Sequence, residues 1–229
     1  MKITSIKLLM TIPQLYFDIA ATTPIDKNVA ALVNKVNLEN FGNPSSIHSI
    51  GQKSHNIIER SRISISNILN CKTSEIFFTS GGSESNNIVL KGVFSPGDNL
   101  ITSSYEHPSV LALSNELEKE GIEVTFIKPN QGGLIEPLKI KKAFRENTQL
   151  VSIMYVNNEL GTINPIDEIG KVCHKNNVLF HTDAVQYIGK GQLNITDYNI
   201  STLSLGAHKF YGPKGIGALF IKRGLKLNP

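Results

Sequence analysis

The chain has 229 residues, 40% of them hydrophobic and 18% charged, enough apolar mass for one sizeable core and for one large domain or a domain with part of another. Its formal charge of +4 comes from scattered Lys and Arg with no basic run interleaved with aromatics, which argues against a nucleic-acid partner. Two cysteines, Cys71 and Cys173, are too few for a disulfide framework and too far apart for a zinc motif, so no metal site is expected and a reduced, cytoplasmic setting is the simpler one.

The N-terminal stretch holds only a short apolar cluster, Leu8-Leu9-Met10, with no small-residue cleavage pattern after it. No run approaches the roughly 20 apolar residues that would cross a bilayer, so no membrane association is expected. The first arginine is Arg60, which argues against an Arg-rich transit peptide. Residues 1–30 read as an N-terminal segment and 31–229 as one domain.

The first long periodic segment predicts a helix over Ser49–Leu69, with Ile50, Ile57, Ile58, Ile65, Ile68 and Leu69 making most of one face. Short β-branched or aromatic runs then predict strands at Ile76–Thr79, Leu100–Ser103, Val124–Lys128, Leu150–Val156, Val178–Thr182, Thr202–Leu205 and Gly217–Ile221. Between most of them lie stretches of helical spacing, among them Ser109–Glu120, Leu138–Glu146 and Ile166–Lys175. Apolar runs alternating with amphipathic helices predict an α/β fold with a mostly parallel sheet covered on both faces. Ligands of such sheets bind beyond the carboxyl ends of the strands, so the residues just after each strand are the ones to examine.

After Ile76–Thr79 comes Ser80-Gly81-Gly82-Ser83-Glu84-Ser85-Asn86-Asn87. Paired glycines permit a tight turn, and Ser83 is placed to cap a following helix whose free N–H groups suit a phosphate. An ordinary capped strand–helix junction accounts for the segment equally well, and no Gly-Lys-Ser/Thr follows to make a Walker loop. After Leu100–Ser103 comes Tyr105-Glu106-His107-Pro108, where His107 is either a helix cap or a site residue. After Leu150–Val156, Asn157-Asn158-Glu159-Leu160-Gly161 offers amides that serve a ring substituent or a turn. Asp183 ends an apolar strand, where a carboxylate needs a partner to offset desolvation. A protonated pyridine nitrogen would be one; a lysine or a helix N-terminus would be another.

The most specific segment is Gly206-Ala207-His208-Lys209-Phe210-Tyr211-Gly212-Pro213-Lys214-Gly215. It places lysines just past a buried strand, in a glycine-rich turn that admits close ligand approach. A lysine there can form an imine and have its proton affinity lowered by its surroundings. Residue chemistry alone does not choose between Lys209 and Lys214. Phosphate donors, an acid for a ring nitrogen, amides, an imidazole and an imine-forming lysine together fit pyridoxal phosphate better than a nucleotide.

At this point the chain resembles a known family. Tyr16-Phe17-Asp18 with Ala21-Thr22-Thr23-Pro24, then Phe41-Gly42-Asn43-Pro44-Ser45-Ser46-Ile47-His48, are similar to the opening of cysteine desulfurases of the nitrogen-fixation and iron–sulfur-cluster type. Phe78 to Asn87, Glu106-His107, Val156-Asn157-Asn158-Glu159, His181-Thr182-Asp183-Ala184-Val185-Gln186 and His208-Lys209 with Gly212-Pro213-Lys214-Gly215 match that family's motifs in order. The resemblance implies the large domain of a fold-type I pyridoxal-phosphate-dependent transferase, with a seven-stranded sheet, usually in a homodimer. It implies L-cysteine as substrate, an enzyme persulfide and alanine as products, and a sulfur-acceptor or cluster-scaffold protein as partner.

The same resemblance implies the site. Lys209 would bond the cofactor as an imine, Asp183 would hold the ring nitrogen, and Gln186 and Asn158 would touch the ring-oxygen side. His107 would stack on the ring and handle protons. Gly82, Ser83 and His208 would bind phosphate, with Gly206 and Ala207 among the cofactor-contacting positions. Gly206 stands where the family usually has a serine whose hydroxyl reaches the phosphate. The family's sulfur-accepting cysteine, its arginine for the substrate carboxylate and a threonine for the neighbouring subunit belong to a C-terminal portion with no counterpart up to Pro229. Cys173 is expected in the core and Cys71 at a helix end away from the phosphate loop, neither as a nucleophile. An inactive cofactor-binding remnant, a selenocysteine lyase and an aminotransferase are the other readings.

Overall fold

The computed structural model describes residues 15–228, so Leu8-Leu9-Met10 and Pro229 lie outside it. Two helices open the described chain. Helix α1 (Lys27–Glu39) starts at Asp26, whose carboxylate accepts from the N–H groups of Asn28 and Val29. Helix α2 (Ser49–Leu69) stops where Asn70 turns left-handed at φ 52°. Strands and helices then alternate: β1 (Ile76–Thr79), α3 (Gly82–Val93), β2 (Asn99–Ser103), α4 (Pro108–Lys119), β3 (Glu123–Ile127), α5 (Pro137–Ala143), β4 (Thr148–Ser152), α6 (Ile166–Lys175) and β5 (Leu179–Asp183). Strands β6 (Thr202–Gly206) and β7 (Gly217–Ile221) follow, joined by a loop that begins with a single 3-10 turn, Ala207–Lys209.

The seven strands form one sheet in the order β1-β7-β6-β5-β4-β2-β3. Only β7 runs against its neighbours; it pairs antiparallel with β1 and β6, and the remaining pairs are parallel. Register lines up apolar rows across strands: Phe220 of β7 faces Ile76 of β1 on one side and Leu203 of β6 on the other. That row joins Ile101, Val151 and Phe180 in a core closed by Ile140 of α5 and by Ile166, Ile169 and Cys173 of α6. The opposite face carries Leu100, Leu150 and Leu219 against Val89 and Leu90 of α3 and Val110, Leu113 and Leu117 of α4. Both faces are covered, as a parallel sheet requires. At Gly170 of α6 an added Cβ would lie 1.8 Å from the Tyr198 carbonyl oxygen, so only glycine lets the helix come this close.

All seven predicted strands form, β1 and β7 with the predicted ends and the other five with shifted ones. The run Leu150–Val156 yields only β4 to Ser152, although the N–H groups of Ile153 and Tyr155 still donate to His181 and Asp183 of the neighbouring strand. Val156 then turns out to a bridge with Ile163. Strand β5 runs one residue past the predicted Thr182, so Asp183 is its last residue. Helix α1 has no buried residue, so it leaves no core-facing stripe in the sequence to announce it. Around it the surface is unusually apolar: Phe41 is 76% and Ile47 94% exposed. No helix among the described residues is long and apolar enough to cross a membrane.

Candidate active site

The strand-end residues meet at one cavity of about 310 Å³, at the carboxyl edge of the parallel strands. Gly82 and Ser83 of α3, His107 before α4, Asn158, Asp183, Gln186, His208 and Lys209 all line it, together with Ala21, Met154 and Val185. Ala207 does not. It lines a separate, wholly apolar cavity with Leu205 and Phe210. Gly206 lies behind the α3 start, where a Cβ would sit 3.5 Å from the Gly82 nitrogen.

Helix α3 begins at Gly82 with no side chain capping it. Ser83 falls inside the first turn, so it is not the cap that the sequence predicts. The first N–H groups of α3 are therefore left for another acceptor, and they lie beside the cavity, where an anion is favoured. His208 is close by, its Nδ1 3.1 Å from Thr22 Oγ1. Burial and the nearby Lys209, Lys214 and His107 push its proton affinity down.

Asp183 is only 6% exposed. Its Oδ1 accepts from the Val185 N–H at 3.0 Å and its Oδ2 from Asn86 Nδ2 at 2.8 Å. Each oxygen keeps a free lone pair for a further donor. Lys209 reaches across to the N-terminal segment, donating to the carbonyls of Ala20 at 2.6 Å and Ala21 at 2.7 Å. Gln186 Nε2 also donates to the Ala20 oxygen, at 2.7 Å, while its Oε1 accepts from Lys190 at 3.0 Å. Burial first, and the Lys190 charge second, push the Lys209 amine below the ordinary lysine range. Asp183, Asp18 and Glu159 act in the opposite sense. Lys214 is exposed and lines no part of the cavity, which separates the two lysines that the sequence leaves equivalent.

Glu106 sits beneath the site, 3% exposed. Its Oε1 accepts from Ser103 Oγ and from the Met154 N–H, while Oε2 has no partner among the described residues. Burial pushes it up to about 8. Burial also pushes His181 down to about 3. The signs oppose each other. A raised acid keeps its proton when folded and loses it when unfolded, so stability falls as pH rises toward 8; a lowered base does the reverse below its ordinary value near 6.5. Above that value only the Glu106 slope remains. In urea titrations, Glu106→Gln should gain on the unsubstituted chain by about 1.4 kcal/mol per pH unit from near neutrality to 8. Parallel stability curves would contradict the buried neutral acid.

Neither thiol reaches the cavity. Cys173 is buried in α6 and pushed up to about 12 by that burial. Cys71 is half-buried against Glu75, Ile200 and Phe220, and burial with the Glu75 charge pushes it up to about 11. The site also includes contacts that the sequence does not disclose. The Ala20–Ala21 backbone holds Lys209 from far along the chain, and Asn86 reads as an ordinary helix polar residue until its contact with Asp183 is seen.

A doubly covered seven-stranded sheet, with a lysine and a carboxylate at strand ends around one cavity, defines the large domain of a fold-type I pyridoxal-phosphate-dependent transferase. The chain belongs to the class-V aminotransferase family, whose model matches residues 15–228. It is 46% identical over 220 residues to the cysteine desulfurase IscS of Dictyoglomus turgidum, covering 94% of this chain and 56% of that one. To the IscS of Methanosarcina thermophila it is 45% identical, covering 93% and 54%. Among solved structures, SspA in complex with cysteine superposes with a TM-score of 0.91 at 43% identity, covering 93% of this chain and 63% of that one. The apo cysteine desulfurase of Thermococcus onnurineus NA1 gives 0.87 at 30% identity, covering 94% and 56%. The chain spans about half the length of the curated relatives it matches.

Proposed function

We propose that this chain is the cofactor-binding part of a cysteine desulfurase, which takes sulfur from L-cysteine, leaves L-alanine and passes the sulfur on as a persulfide. The observation that carries this is the placement of the Lys209 amine and the Asp183 carboxylate on one cavity beside the uncapped start of α3. The residues fit pyridoxal phosphate. The α3 N–H groups, Ser83 and His208 suit its phosphate, the free lone pairs of Asp183 its ring nitrogen, and Gln186 and Asn158 its ring oxygen.

When bound, that cofactor supplies an electron sink for negative charge at the substrate's α-carbon. Lys209 is the amine that would hold it; the Ala20 and Ala21 carbonyls accept from that amine here, and burial and Lys190 ease the loss of its proton. The Asp183 carboxylate, fixed by Val185 and Asn86, favours a proton on the ring nitrogen and so strengthens the sink. His107 lines the cavity as the group that handles substrate protons. Residues 31–229 form the cofactor-binding domain in this reading, and residues 1–30 an N-terminal segment. The apolar side chains left exposed at Leu32, Leu38, Phe41 and Ile47 support a homodimer. Two free cysteines suit a cytoplasmic setting, and a sulfur acceptor or cluster scaffold would receive the sulfur. Cofactor binding without turnover by this chain alone is the second reading, favoured by the distance of both thiols from the cavity.

Titration with pyridoxal phosphate tests the reading through the yellow band of the bound form. Gly206→Ser sharpens it, because Gly206 has φ −138° and ψ 126°, open to any residue, and its Cβ would meet only ordinary contacts. A hydroxyl there should tighten cofactor binding roughly tenfold or more, the worth of one hydrogen bond to a charged group. Unchanged affinity would mean that the α3 N–H groups already satisfy the phosphate. No yellow form in either chain would overturn the reading.

A further inference from the structure

Asn86 is 0% exposed, one turn into α3, and its amide is engaged on three sides. Its Nδ2 donates to Asp183 Oδ2 at 2.8 Å and to Ser109 Oγ at 3.1 Å, and its Oδ1 lies 3.1 Å from His181 Nε2. The neighbours settle which way the amide faces. A carboxylate oxygen can only accept, so the amide nitrogen must face Asp183 and the amide oxygen must face His181. His181 then carries its hydrogen on Nε2, and its Nδ1 accepts from Thr202 Oγ1 at 2.9 Å. On the other side, Ser109 Oγ receives a hydrogen from Asn86 and gives its own to His107 Nδ1 at 2.7 Å. The Ser109 backbone N–H points at the same nitrogen, at 3.1 Å. A ring nitrogen facing two donors carries no hydrogen, so the hydrogen of neutral His107 is on Nε2.

We propose that Asn86 is a positioning residue that sets hydrogen placement at two groups of the cavity, holding the Asp183 carboxylate as an acceptor and, through the Ser109 hydroxyl, holding His107 with its hydrogen on Nε2. Hydrogen bonds of one polarity then run from Thr202 on β6 through His181 and Asn86 to Ser109 and His107. Among the described residues Nε2 of His107 has no hydrogen-bond partner, so it is the nitrogen left for a ligand in the cavity. His107 therefore meets that ligand as a donor first, and accepts a proton at Nε2 only after giving this one up. What this does for substrate rests on the cofactor reading above. The hydrogen placement itself belongs to the chain and is measurable without cofactor.

The test is a proton–nitrogen correlation spectrum of the cofactor-free chain carrying isotope-labelled histidine, near neutral pH, with the His107 signals identified by their loss in His107→Gln. His107 and His181 should both show the pattern of a neutral ring with its hydrogen on Nε2. Ser109→Ala removes the hydroxyl donor and leaves only the longer backbone N–H on Nδ1, so it should loosen His107 alone, its two nitrogens moving part of the way toward averaged positions. Asn86→Asp keeps an oxygen for His181, and its second oxygen shares a proton with Asp183 Oδ2, since two carboxylates this close do not both ionise; the donor to Ser109 is lost, so the variant should likewise release His107 and leave His181 fixed. A general loosening of the fold would not spare His181. Three results would overturn the proposal: hydrogen on Nδ1 of His107 in the unsubstituted chain, His107 unmoved in both variants, or His181 released together with His107 in Asn86→Asp. Should the buried Asn86→Asp variant not fold, Ser109→Ala at its partly exposed position decides alone. Failure to bind pyridoxal phosphate would count against the cofactor reading and leave these spectra unchanged.

Discussion

Given pyridoxal phosphate and L-cysteine, the 229-residue chain by itself is expected to form no persulfide and to release essentially no alanine. Desulfuration needs charge stabilisation at the substrate's α-carbon and, separately, a thiolate that takes the sulfur. Lys209, Asp183 and His107 line a cavity suited to the first. The second has no candidate there. Cys71 and Cys173 are held well above the ordinary thiol range by burial, so at neutral pH both are thiols, and the thiol is the unreactive form. Cys71 sits by Glu75 at the amino end of β1, whereas the α3 start follows the carboxyl end of the same strand. Among the described residues no arginine lines the cavity to orient a substrate carboxylate, and a misplacement of about 1 Å can cost roughly a hundredfold in rate. Supplying a polypeptide with the thiol-bearing portion of the family should restore both persulfide and alanine if the parts assemble. Alanine release by the 229-residue chain alone, abolished by Cys71→Ser or Cys173→Ser, would contradict the placement of both cysteines as structural.

What the sequence discloses about this site follows from which interactions are local. Apolar runs and turn residues are local, so all seven strands are readable, as is the rule that ligands gather at their carboxyl ends. Asp183 stands out because a carboxylate closing an apolar strand needs a partner. Lys209 and Lys214 share one glycine-rich turn, and only the 3-10 turn at Ala207–Lys209 carries the first to the cavity while the second faces solvent. Ala207 directly precedes the lining residues His208 and Lys209, yet it borders a separate apolar cavity, a difference that adjacency in sequence does not disclose. In the overrun of β4, Ile153 to Val156 are as apolar as a strand and stay bonded to β5 through Ile153 and Tyr155, while Met154 between them lines the cavity. Long-range polar contacts leave no periodic trace. The grip of Ala20 and Ala21 on Lys209 spans 189 and 188 positions, and the Asn86–Asp183 bond spans 97.

The central claim is that Lys209, of all the lysines in this chain, bonds pyridoxal phosphate. Its amine borders the cavity, while Lys214 is exposed outside it. Burial and Lys190 both favour the neutral amine that attacks a carbonyl. Borohydride reduction of the cofactor-loaded chain, followed by peptide mapping, should therefore find the pyridoxyl group on Lys209, and Lys209→Ala should abolish both the label and the yellow form. A label on Lys214 with Lys209 free, or an undiminished yellow form in Lys209→Ala, would contradict it.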